Sequence, residues 1–218
     1  MKASRLEMIR SQTLDSQNDN RAQHFRPALG SLGRYFQPGW YAGISRSFQV
    51  PQVFGSATIF ENVLIALGIA HDGKFPIWRP LRRADLVATT DQILERFGIA
   101  ANRDNVANQV SQGVRKLMDI AMATVHRPRL LLLDEPTSGV SVEQKFEIMD
   151  VIMGALRSEK ITVLFVEHDM DIIARYATRV AAFYDGTIIA DGLPQQVIDD
   201  PQVRRYIIGE QLRLKAGA

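Results

Sequence analysis

The segment Arg129 to Gly139, RLLLLDEPTSG, constrains this chain more than any other. Four consecutive leucines are of strand length and leave no polar face, as a parallel strand covered on both sides requires. The run ITVLFVEH is a second such strand, rich in β-branched residues. Between and after them lie helical patterns: SVEQKFEIMDVIMGALRSE, with Ser141 as its candidate cap, and DMDIIARYAT. Strand, helix, strand, helix over residues 129 to 180 predicts an α/β domain with a mostly parallel sheet. RVAAFYDGTIIADG adds two strands joined by Asp185-Gly186, a hairpin signal. Two short helices are expected around PQQVIDD and PQVRRYIIG.

Upstream of the first strand the pattern is helical. SATIFENVLIALGIA and RADLVATTDQILERFGI carry apolar residues at helical spacing, the second with Leu86, Ile93, Leu94 and Phe97 as its inner face. A third helix resumes after Gly113 in VRKLMDIAMATVH and stops before Pro128. Methionines 118, 122, 149 and 153 share this spacing and are expected in the core. Residues 1–40 are polar, with glutamines at 12, 17, 23 and 37, and read as poorly ordered or as a short helix and loop. The expected organisation is therefore an atypical segment 1–40 and one domain 41–218. Within that domain fall a helical subdomain at 55–127, an α/β core at 128–192 and C-terminal helices at 193–210.

Composition excludes several classes. The chain has no cysteine, so disulfides and thiolate metal sites are ruled out. A net charge of +2 is too small to predict nucleic-acid binding. No apolar run approaches the roughly 18 residues of a membrane span, and no export signal is seen, so a cytoplasmic protein is expected.

In open α/β sheets, ligands bind beyond the carboxyl ends of the strands. Asp134 and Glu135 stand at one such end and His168 at the next. A carboxylate there can hold Mg²⁺ and screen phosphate charge, and its neighbour can orient or deprotonate a water. The alternative is that the carboxylates cap the following helix and that His168 is an ordinary loop residue. Two adjacent carboxylates after four leucines favour the functional reading, whereas His168 taken alone favours the structural one.

LLLLDEPTSG resembles the Walker B segment of ATP-binding-cassette ATPases, and VLFVEHDM resembles their switch-histidine segment. GISRSFQVPQVFGSATIFENV is similar to their glutamine loop, and QVSQGVRKLMDIAMATVHRPRLLLLDEP to their signature helix running into Walker B. The ending DGLPQQVIDDPQVRRYIIGE is similar to the tail of ATP-binding subunits of branched-chain amino acid and urea or amide importers. The resemblance implies a P-loop NTPase-like fold using ATP and Mg²⁺. It implies that Asp134 and Gln49 contact Mg²⁺, that Glu135 is the general base, that His168 contacts the γ-phosphate, and that Gln49 also meets the attacking water. Ser111, Gln112 and Gly113 would form the signature, clamping the nucleotide of an opposite subunit. The implied partners are that second ATPase subunit, transmembrane permease subunits and, indirectly, a substrate-binding protein. No nucleic acid is expected. The implied location is the inner face of the cell membrane.

The sequence also departs from this family. It contains no G-x-x-x-x-G-K-[ST], the loop whose amides and lysine cradle phosphates. Its one Gly-Lys pair, Gly73-Lys74, is followed by Phe75. The final Gln of the signature is Val114, and the Asp usual after Walker B is Ser141. Weak unassisted ATP binding follows, together with a sheet edge or cavity where the first strand should lie. A truncated or frame-shifted reading frame, or a degenerate subunit, is the expectation. Three activities compete: the importer ATPase, a non-hydrolysing partner lending its signature to a competent subunit, and a soluble cassette protein of repair or translation. The helical segment lacks the long coiled-coil insertion of the repair class, and the chain carries one cassette, which ranks the third reading last.

Overall fold

Residues 5–7, 43–47, 53–72 and 81–209 are described in the computed structural model of the chain. A six-stranded sheet runs through them in the order β2-β3-β4-β1-β5-β6. Its strands are β1 (Arg5–Glu7), β2 (Ile44–Arg46), β3 (Leu130–Asp134), β4 (Thr162–Val166), β5 (Val180–Tyr184) and β6 (Thr187–Gly192). β2, β3 and β4 pair in parallel, and the leucine run is the middle strand of the three. Leu131 and Leu133 are fully buried there.

Helices α1 (Ile59–Asp72), α2 (Ala84–Arg96) and α3 (Gln112–Thr124) precede β3 in the chain. α1 opens with a reciprocal capping box. The Thr58 amide donates to Glu61 Oε2 at 3.0 Å, and the Glu61 amide donates to Thr58 Oγ1 at 3.1 Å. Leu86, Ile93, Leu94 and Phe97 are all buried, as the helical spacing of α2 predicts. α3 starts one residue before Gly113 rather than after it, because Ser111 caps it by accepting from the Val114 amide at 3.4 Å. Met118, Met122 and Met149 are buried and Met153 packs against them, so the methionines serve the core.

α4 (Val142–Ser158) follows β3, capped by Ser141. α5 (Met170–Tyr176) follows β4 and leads to the β5–β6 hairpin. The hairpin turns on Asp185 and Gly186, both in the left-handed region at φ 46° and 81°. That pair of signs matches the right-handed twist of the flanking strands, which is why Asp-Gly suits the position. α6 (Pro194–Asp199) and α7 (Pro201–Val203) come next, the latter continuing as a π-helical turn over Arg204–Ile208. Val197, Val203 and Ile207 join these C-terminal turns to the core shared by the helices and the sheet.

One element corrects the sequence reading. Arg5–Glu7 falls in the segment expected to be poorly ordered or helical, yet it is a strand between β4 and β5, antiparallel to both. The slot between those strands is therefore filled, not left as an edge or cavity. Two unpaired rows of backbone groups face each other across such a slot, and an extended segment satisfies both by main-chain hydrogen bonds.

Candidate functional site

The parallel register aligns Asp134 with Val166, so β3 and β4 end level and deliver their next residues to one place. The Glu135 amide donates to the Val166 carbonyl at 3.0 Å, which continues the ladder one step beyond β3. Glu135 itself has φ 48°. A non-glycine residue there is uncommon and persists only where its surroundings impose it. The turn swings the Glu135 carboxylate toward the tip of β4, where His168 Nε2 lies 3.0 Å from Glu135 Oε1. Both side chains remain accessible, at 20% for Glu135 and 40% for His168.

Asp134 faces the other neighbouring strand. A guanidinium nitrogen of Arg46, the last residue of β2, lies 3.2 Å from Asp134 Oδ2. Asp134, Glu135 and His168 are thus gathered at adjacent strand tips, as the sequence predicts. Ser111 and Gln112 are exposed at the start of α3, and the Gln112 side chain lies against Gly139. A Cβ on Gly139 would come within 2.2 Å of Gln112 Nε2, so glycine permits that approach, and its φ of 75° suits glycine as well. Gly113 packs toward Ile148, whose Cδ1 would lie 3.0 Å from an added Cβ. Gln49 lies outside the described residues.

Three buried charges escaped the sequence reading, Asp119 on α3 and two that meet the turn after β3. Glu167, 5% exposed, accepts through Oε1 from the Thr137 amide at 2.9 Å and the Thr137 hydroxyl at 2.7 Å. Lys116, 4% exposed, donates its ammonium to the Glu135 carbonyl and, at 2.9 Å, to Ser138 Oγ. Burial pushes the Lys116 amine below its ordinary value, against the nearby carboxylates of Glu167, Glu135, Asp119 and Asp134. The available signal was a lysine on the same helical run, RKLMDIAMA, as the apolar residues Leu117, Met118, Ile120 and Ala121. Its partners 19 and 22 residues away were not legible.

Asp169 closes the β4 tip. It caps α5 through the Asp171 amide at 3.1 Å and meets Lys145 Nζ at 2.7 Å. Burial opposes its ionisation, but the Lys145 ammonium and backbone amides prevail and hold its carboxyl below the usual 3.8. The folded state therefore binds this proton less readily than the unfolded state. Asp169 contributes stability above about pH 4 that is lost as pH falls through its lowered value. The acid limb of a melting-temperature profile should flatten in Asp169→Asn, and an unchanged limb would refute that contribution.

Comparison with known proteins adds the family. The family model described as ABC transporter matches residues 22–138. The chain belongs to the ABC transporter family. The matched region begins at residue 22, inside the segment that reads as atypical from its sequence. A probable branched-chain amino acid transport ATP-binding protein, LivG, of Methanocaldococcus jannaschii is 31% identical over 182 residues, covering 78% of this chain and 69% of the relative. The lipopolysaccharide export system ATP-binding protein LptB of Haemophilus influenzae is 33% identical over 172 residues, covering 79% and 68%. A crystal structure of an ATP-binding cassette of an ABC transporter, in its ADP conformation, superposes with a TM-score of 0.66 at 30% identity, covering 78% of this chain and 70% of its own.

As an ABC transporter ATP-binding subunit, the chain falls in a family whose members bind ATP, typically with Mg²⁺, and in import systems work with transmembrane permeases. Among the described residues no helix is long and apolar enough to cross a membrane. None of those residues forms a cluster of three or more His, Cys, Asp or Glu able to hold a metal ion. The donors at the strand tip suit Mg²⁺ nonetheless, because Mg²⁺ takes one or two carboxylates and completes its shell with water and substrate phosphates. Asp134 is such a carboxylate, with Arg46 already balancing its charge.

Proposed function

We propose that the chain is the ATP-binding subunit of an importer of branched-chain amino acids or related amides. The contact between Glu135 and His168 at 3.0 Å carries this reading. It joins a general base to a second proton-handling group at the end of a parallel sheet. The relatives named for branched-chain amino acid transport support the substrate class, and the similar C-terminal tail agrees with it.

In this reading Asp134 holds Mg²⁺, which supplies charge neutralisation along the phosphates when bound. Glu135 takes the proton of the attacking water, and His168, bonded to the same carboxylate, holds the terminal phosphate. Gln49 contacts the metal and water and senses the permease. Ser111, Gln112 and Gly113 clamp nucleotide on a second ATPase subunit in a head-to-tail dimer. Ser111 and Gln112 are suitably exposed for that contact. The helical subdomain at 55–127, the α/β core at 128–192 and the helices at 193–210 form the working parts, and the permease holds the chain at the inner membrane face.

The absent phosphate loop favours a second reading, a partner that lends its signature to a competent subunit and turns over no ATP itself. Calorimetry with Mg-ATP separates the two, using the chain and Glu135→Gln to block turnover. Saturable binding at millimolar ATP supports the ATPase subunit and means that an unrecognised phosphate cradle exists. No heat from either protein, with activity appearing only on mixing with a competent subunit, supports the signature-lending partner.

A further inference from the structure

We propose that Lys116 is a positioning residue: its ammonium fixes the turn after β3 in the conformation that brings the Glu135 carboxylate to His168. The proposal rests on the reading of Glu135 and His168 as the working pair, and its geometry is independent of nucleotide.

Glu135 sits in the left-handed region at φ 48°, a conformation that is unfavourable for a residue carrying a side chain. Something must hold it there, and three grips are visible. The β4 end takes the Glu135 amide at the Val166 carbonyl. Glu167, also at that end, holds Thr137 by its amide and its hydroxyl. From the opposite side α3 reaches in with Lys116, which bonds the Glu135 carbonyl and the Ser138 hydroxyl together. The Glu135 carbonyl also accepts from the Ser138 amide at 3.1 Å, so Lys116 closes over a turn that is already formed. Gln112, at the start of α3, rests on Gly139 at the far end of the same turn.

A merely space-filling side chain at this position would be apolar. α3 buries every residue from Lys116 to Thr124, and methionine or leucine fits such a helix without the desolvation of an ammonium. Among the described residues, the hydrogen bonds of the retained charge both go to the turn from Glu135 to Ser138. With the ammonium removed, the Glu135 carbonyl loses its restraint from α3, and relaxation of φ toward the right-handed or extended regions swings the carboxylate off His168. The helix that carries the signature residues therefore also sets the aim of Glu135 in its own chain.

The test uses the full chain without nucleotide and reads the histidine ring nitrogens by nuclear magnetic resonance. The chain has four histidines, so His168→Gln identifies the signal. Glu135→Ala gives the His168 Nε2 resonance without its carboxylate partner. Lys116→Met should move that resonance most of the way to the Glu135→Ala position, and Lys116→Arg should bring it most of the way back. A purely structural lysine would lower the melting temperature and leave the His168 signal in place, and that result overturns the proposal. Should Lys116→Met fail to fold, Lys116→Leu, which equally lacks a donor, carries the same comparison by the same criterion. Failure to bind Mg-ATP would overturn the ATPase reading and leave this measurement standing. An unmoved His168 signal would do the reverse.

Discussion

Glu167→Ala should lower the unfolding free energy by about 3–5 kcal/mol, the loss expected when one member of a buried charged set is removed. The carboxylate is 5% exposed, and the Lys116 ammonium that it helps to balance is 4% exposed. Deleting it leaves the Thr137 amide and hydroxyl without their acceptor and takes from Lys116 the foremost of its compensating charges. Glu167→Gln keeps an acceptor for Thr137 and should cost less, about 1–3 kcal/mol, mainly through Lys116. Urea unfolding measures both variants at a common slope. If the two charges act together, Glu167→Gln combined with Lys116→Met should cost clearly less than the sum of the single changes. Strict additivity would mean that the two charges do not see each other, despite their shared turn.

Phe60→Ala should be similarly costly, about 3–5 kcal/mol, for a different reason. Phe60 lies at the start of α1, 2% exposed, among the largest buried side chains of the helical region. The Arg103 guanidinium carbon stands 3.8 Å from its ring centroid, and the Phe60 amide donates to the Arg103 carbonyl at 2.9 Å. Truncation therefore opens a cavity beneath α1 and removes a cation–π contact at once. Arg103→Met removes the cation–π contact together with the Arg103–Asp91 ion pair at 2.7 Å and should cost about 0.5–2 kcal/mol. A Phe60→Ala loss no larger than that of Arg103→Met would show that the neighbouring helices collapse into the space and that the helical region is loosely packed.

These two sites differ in how far the sequence reveals them. Phe60 belongs to a helical apolar repeat, and local periodicity alone places it inside. Glu167 stands beside a histidine at a strand end and reads as one more polar residue of a ligand-facing loop. Its burial depends on a turn donated by another strand, thirty residues earlier in the chain. Lys116 is similar: the helical pattern marks its face as buried, but only the fold supplies the carbonyl and hydroxyl that make a buried ammonium tolerable.

The sequence by itself determined the parallel strand pair, the helices around it, the Asp185-Gly186 hairpin and the delivery of Asp134, Glu135 and His168 to strand ends. Each depends on a continuous apolar run, on a periodicity of 3.6 or on a turn dipeptide, and these are encoded within a few residues of one another. Only the tertiary structure decided that Arg5–Glu7 enters the sheet between β4 and β5, that Arg46 lies on Asp134, and that Lys116 and Glu167 grip opposite sides of one turn. Such pairings join segments far apart in the chain. Hydrogen-bond partners and strand neighbours are chosen by which surfaces the packed core leaves facing one another, and no local pattern carries that choice.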